Sequence, residues 1–113
     1  MKRVLSGVFL TVTLLSVSSL STQAAPDLAV GQKVFNANCA ACHRGGKNTV
    51  NPQKTLSLAD LKKNQKDNAA AIIAQVTNGK NAMPAFGKTG KLKPAEIESV
   101  AAYVLAQANK GWK

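Results

Sequence analysis

Cys39-Ala40-Ala41-Cys42-His43 holds both cysteines and the single histidine of a 113-residue chain in five consecutive positions. Two residues between the thiols, with an imidazole directly after the second, form the C-x-x-C-H pattern that attaches a c-type haem. The spacing has a chemical reason. Two thiols add to the two vinyl groups of the porphyrin and hold it covalently, and a histidine beside the second thiol can turn its ring onto the iron. Other uses of paired cysteines fit less well. A thioredoxin-like redox pair needs a βαβ context, and a zinc site needs more Cys or His ligands. A plain disulfide leaves His43 without a role.

Iron held by His43 needs a second axial ligand. Met1 apart, the chain has one methionine, Met83, in Asn81-Ala82-Met83-Pro84-Ala85-Phe86. Its thioether is a soft ligand that favours reduced iron, and His/Met ligation raises the reduction potential. Pro84 stiffens the loop that carries it. The competing use of Met83 is as a flexible core filler. Two protein ligands leave the iron no open position, which suits electron transfer. A haem peroxidase or ligand sensor needs one, so that class stands only if Met83 does not bind.

The flanking sequence reads as helices and loops. Asp27 can cap a helix from Leu28 to about Asn38, marked by Leu28, Gly31, Val34 and Phe35 at helical spacing. Residues 44–55 have loop composition. Ser57 can cap a short helix over 58–64, with Asp60 placed to reach back. Asp67 can cap a helix over 68–78, stopped by Gly79. Residues 80–93 form a second irregular stretch. Pro94 opens a last helix whose Ile97, Val100, Ala101, Val104, Leu105 and Ala108 make the strongest apolar stripe in the chain. The expected class is all-α, with about four helices and no strand.

The first residues read as an address rather than as structure. Lys2 and Arg3 precede an apolar stretch from Val4 to Leu20, followed by small residues through Ala25. This is the three-part layout of a secretory signal peptide, expected to be cleaved after Ala24, with Ala25 as the other option. Residues 25–113 then form the working domain, with 13 basic and 5 acidic side chains. No segment of it is apolar and long enough to span a bilayer. A chain of 89 residues with four aromatics has a thin core, and small domains of this kind rely on a disulfide, metal or cofactor. The full chain's charge of +10 calls for an anionic partner. Export, and the lack of aromatics interleaved with the basic residues, argue against nucleic acid.

Taken together, the sequence resembles the cytochrome c6 family, small class I c-type cytochromes of cyanobacteria and algal chloroplasts. The resemblance runs through Gly31-Gln32-Lys33-Val34-Phe35, Asn38 to His43, Gly45 to Asn48, Gln53 to Leu56, Ile72 to Lys80, Ala82 to Phe86, Val100 to Leu105 and Trp112. It implies a class I cytochrome c fold around one covalent haem c, with Cys39 and Cys42 as thioethers and His43 and Met83 on the iron. It implies a one-electron carrier in the thylakoid lumen or periplasm, taking electrons from cytochrome f of the cytochrome b6f complex to photosystem I. A respiratory terminal oxidase is a further acceptor, and a periplasmic respiratory cytochrome c is the nearest alternative function. By the same resemblance Gln75 tunes the potential, and Asn48 and Lys54 contact the haem propionates or nearby loops. Gly31 and Phe35 pack the first helix against Tyr103. Lys62, Lys63, Lys66, Lys88 and Lys91 are candidates for partner docking, with Lys80 and Lys93 near the Met83 loop. Lys91 falls where relatives carry an Arg, and loses the forked geometry of a guanidinium.

Overall fold

The computed structural model describes Gly7, residues 11–13 and residues 25–113. The expected signal peptide lies largely outside the described residues. Five α-helices follow in order: α1 Leu28–Asn38, α2 Ala40–His43, α3 Leu58–Lys63, α4 Ala69–Asn78 and α5 Pro94–Lys110, with a 3-10 turn at Arg44–Gly46 after α2. Among the described residues there is no strand, only an isolated antiparallel bridge between Lys80 and Met83. The additional helix is a single turn through the C-x-x-C-H pentapeptide, too short for any periodicity to announce.

α1 starts where Asp27 accepts hydrogen bonds from the amides of Ala29 and Val30, as its capping chemistry requires. The Asp27 amide in turn donates to Ser99 Oγ at 3.1 Å, tying the start of α1 to the middle of α5. The two helices cross at Gly31, where a Cβ would collide with the Ser99 carbonyl oxygen and come within 2.7 Å of Tyr103 Cβ. One turn on, Phe35 packs on Tyr103 with ring centroids 5.4 Å apart. A side chain at position 31 would hold the helices apart and lose that contact.

One helix start and one side-chain reach differ from the sequence expectation. α4 is capped by Asn68, not Asp67: the Asn68 side-chain Oδ1 accepts from the Ala71 amide at 2.8 Å, and the helix begins at Ala69. Both residues are capping types, and packing of Ile72 and Val76 into the core selects the register. α3 is capped by Ser57, which accepts from the Asp60 amide, but the Asp60 carboxylate reaches Thr55 rather than the cap. It takes hydrogen bonds from the Thr55 amide at 3.0 Å and the Thr55 hydroxyl at 2.5 Å. α5 opens as expected, with Pro94 first and Glu96 accepting from the Lys93 amide.

The buried hydrophobic residues among those described are Val34, Phe35, Leu61, Ile72, Val76, Phe86, Leu92, Ile97, Val100, Ala101, Val104 and Ala108. Several of these side chains face a cavity instead of closing over one another.

Candidate functional site

The cavity has a volume of about 610 Å³. Its apolar walls come from all parts of the fold: Phe35 of α1, Leu61 of α3, Ile72 and Val76 of α4, Phe86 of the following loop, and Val100 and Val104 of α5. Protein interiors are otherwise packed with few voids larger than a water molecule. A pocket of this size with an apolar lining and a few polar groups is the form of a cofactor site.

Cys39, Cys42 and His43 reach the cavity from α2 and its start. Cys39 is half-buried and Cys42 exposed. Burial pushes the Cys39 thiol up to about 11. The loop after α2 folds back on the histidine. His43 Nδ1 lies 2.9 Å from the Lys47 carbonyl oxygen, a pairing that makes Nδ1 the protonated nitrogen and leaves Nε2 as the one able to bind a metal.

Met83 reaches the same cavity from the loop after α4. The Lys80 and Met83 amides and carbonyls pair reciprocally, at 2.9 and 3.1 Å. Gly79, with φ +66° and ψ 178°, turns the chain into that pairing. A Cβ there would sit 2.5 Å from the Met83 carbonyl oxygen and 2.7 Å from the Ala85 amide nitrogen, so only glycine fits. Gln75 points its amide at the thioether, with Nε2 3.8 Å from Met83 Sδ.

Asn48 and Lys54 also line the cavity. The Asn48 side chain is committed to its own loop: it donates to the Lys54 carbonyl oxygen at 2.9 Å and accepts from the amides of Val50 and Asn51. The basic residues divide. Lys66 and Lys80 line the cavity, whereas Lys62, Lys63, Lys88 and Lys91 do not, and these four are exposed. Lys91 Nζ stands 5.6 Å from the centre of the Phe86 ring, within cation–π range. Sequence reasoning missed Asn51, Asn64 and Asp60 as lining groups. No motif marks Asn51 or Asn64, and the Ser57-to-Asp60 spacing marks Asp60 only as a partner of the cap.

The donor set fits a c-type haem. Two thiols two residues apart, an imidazole with a free Nε2 and a thioether converge on one apolar cavity. Comparison with known proteins agrees. A family model described as cytochrome C oxidase, cbb3-type, subunit III matches residues 26–104. Cytochrome c6 of Nostoc sp. is 56% identical over 113 residues, covering 100% of both chains. Cytochrome c6 of Cyanidioschyzon merolae is 52% identical, covering 91% of this chain and 96% of its own. The crystal structure of cytochrome c6 from the diatom Phaeodactylum tricornutum, 53% identical, superposes with a TM-score of 0.72 over 76% of this chain and 99% of that one. With the geometry and the likeness both pointing one way, the chain belongs to the cytochrome c6 family of photosynthetic electron carriers, which hold haem c covalently.

Proposed function

We propose that this chain is exported by cleavage of residues 1–24 and carries single electrons from cytochrome f of the cytochrome b6f complex to photosystem I, in the thylakoid lumen or an equivalent periplasmic space. It works as a carrier and not as an enzyme. What supports this reading most is the pairing of His43, oriented by the Lys47 carbonyl, with Met83, held by Gly79 and Gln75, at one cavity. In this reading Cys39 and Cys42 hold the haem as thioethers, and His43 Nε2 and Met83 Sδ bind its iron.

When bound, the haem supplies a site that gains or loses one electron. The chain does the rest. The Lys47 carbonyl keeps the His43 ring in one tautomer and one orientation. Gln75 draws electron density from the Met83 sulfur and so favours the reduced state. Phe86, Ile72, Val76 and Val104 keep water from the interior, so little rearranges when the charge changes. The exposed lysines Lys62, Lys63, Lys88 and Lys91, together with Lys66 at the cavity, steer the molecule toward acidic partner faces without holding it there.

No helix among the described residues is long and apolar enough to cross a membrane. The test is the visible and near-infrared spectrum of the holoprotein during a redox titration. The expected result is low-spin iron with a weak near-infrared sulfur-to-iron band. A high-spin, five-coordinate spectrum, or carbon monoxide binding to the reduced protein at neutral pH, would overturn the carrier reading. Flash-induced kinetics with photosystem I then test the partner: re-reduction should slow as salt is added.

A further inference from the structure

The end of α5 is built to deliver one side chain across the molecule. Gly111 takes a left-handed conformation at φ +72°. Its amide donates to the Ala108 carbonyl, and the Trp112 amide donates to the Gln107 carbonyl at 2.8 Å. This double closure satisfies the last carbonyls of the helix and sends Trp112 back over α1. The indole packs on Phe35 at 5.3 Å and edge-on to Tyr103 at 6.3 Å.

Its Nε1–H then leaves the aromatic cluster and donates to the Leu56 carbonyl oxygen at 2.9 Å. The Leu56 amide donates to the Gly46 carbonyl oxygen at 2.7 Å. Gly46 lies directly against the indole, where a Cβ would collide with Nε1, Cδ1 and Cε2. The next residue is Lys47, whose carbonyl orients His43. Gly45 and Gly46 both have positive φ and no side chain to fix them, and the turn is closed locally only by main-chain bonds, from the Lys47 amide to the Arg44 carbonyl at 3.3 Å and from the Thr49 amide to the Cys42 carbonyl at 3.0 Å. The half-buried indole adds an anchor from outside the loop.

We propose that Trp112 is a positioning residue for His43: it clamps Gly46 and Leu56 and thereby fixes the carbonyl that sets the imidazole's tautomer and orientation. The proposal rests on the ligand role of His43 given above. A hydrogen bond from Nδ1–H to a carbonyl makes the imidazole a stronger donor to ferric iron. Loosening the clamp therefore weakens that bond and raises the reduction potential.

The experiment uses the holoprotein with Trp112→Phe, which keeps a ring against Phe35 and Tyr103 and removes the Nε1–H. NMR should show the His43 Nδ1–H exchanging about fivefold faster, the scale of one lost hydrogen bond, together with a higher potential. An unchanged exchange rate overturns the clamp even if thermal stability falls, since a purely structural clasp would give that result. If the variant does not fold, the unsubstituted holoprotein decides. Exchange at Trp112 Nε1–H and His43 Nδ1–H should share one denaturant dependence, and separate dependences overturn the proposal. Absence of hyperfine-shifted His43 signals in the unsubstituted holoprotein would overturn the ligand assignment and the clamp with it. Their presence with unchanged exchange overturns the clamp alone.

Discussion

Two loops serve the same cavity and are held by different physics. Residues 44–56 carry the groups around His43, and their only buried residue is Gly46. Polar side chains stitch this loop: Asn48 to Lys54, Val50 and Asn51, Asn51 to Gln53, and Asp60 to Thr55. Residues 79–93 carry Met83, and they are nailed down by the buried side chains of Phe86 and Leu92. Main-chain bonds join this second loop to the end of α4, from Phe86 to Val76 and from Lys88 to Thr77. The first loop depends on keeping hydrogen bonds made and the second on keeping space filled. Substitutions should therefore separate them.

The largest expected effect is on the packed loop. Phe86→Ala removes its anchor and should cost about 3–5 kcal/mol, as cavity-forming Phe changes do. Denaturant unfolding gives the magnitude. The near-infrared band of the holoprotein should fade at lower denaturant than the global transition, because Met83 leaves first. If band and fold are lost together, the loop is no separate unit.

Gly79→Ala acts on the same loop without emptying it. The backbone strain and the collision with the Met83 carbonyl should cost about 2–3 kcal/mol, again with the Met83 band weakened. A variant that keeps both stability and band would show that the turn can be rebuilt.

The stitched loop should respond instead to acid. Two hydrogen bonds from Thr55, first from its hydroxyl and then from its amide, hold the Asp60 carboxyl below its ordinary value of 3.8. The folded state thus binds that proton less readily than the unfolded state. The stabilisation is complete above the ordinary value and is lost as pH falls through the depressed one. Asp60→Asn should lower stability at neutral pH and flatten the dependence below pH 4. A variant with the unaltered acid limb would remove Asp60 from the account.

The smallest effect on stability should come from Gln75→Val. It removes a weak donor to sulfur while leaving the loop's anchors in place. The reduction potential should fall by about 40 mV, the equivalent of roughly 1 kcal/mol for a one-electron couple. An unchanged potential would mean the amide does not act on the sulfur.

The same division explains what could be read from the chain alone. α1 and α5 were legible because their cores repeat at helical spacing and Asp27 and Pro94 mark their starts. The residues meeting at the cavity were legible because the chain has one histidine, two cysteines and a single methionine beyond Met1. The cap of α4 was not, because Asp67 and Asn68 are adjacent and equally suited, and tertiary packing chose between them. Asp60 reached two residues further than a capping box. Trp112 bonds a carbonyl 56 positions away, and no local pattern carries that information. The basic residues were easy to group by charge, yet of the lysines only Lys54, Lys66 and Lys80 come to the cavity, since loop paths decide which lysines share a rim.

The tie between the Asp27 amide and Ser99 has a practical side. It fixes the N-terminal end of α1 to the middle of α5, while Asn38 and Cys39 at the other end of that helix line the cavity. Eleven residues of helix separate the two ends, about 16 Å. A linker attached ahead of Asp27 would therefore leave from the far end of α1. Protein immobilised on an electrode through such a linker should keep its cavity rim turned to solution and free to meet a soluble partner.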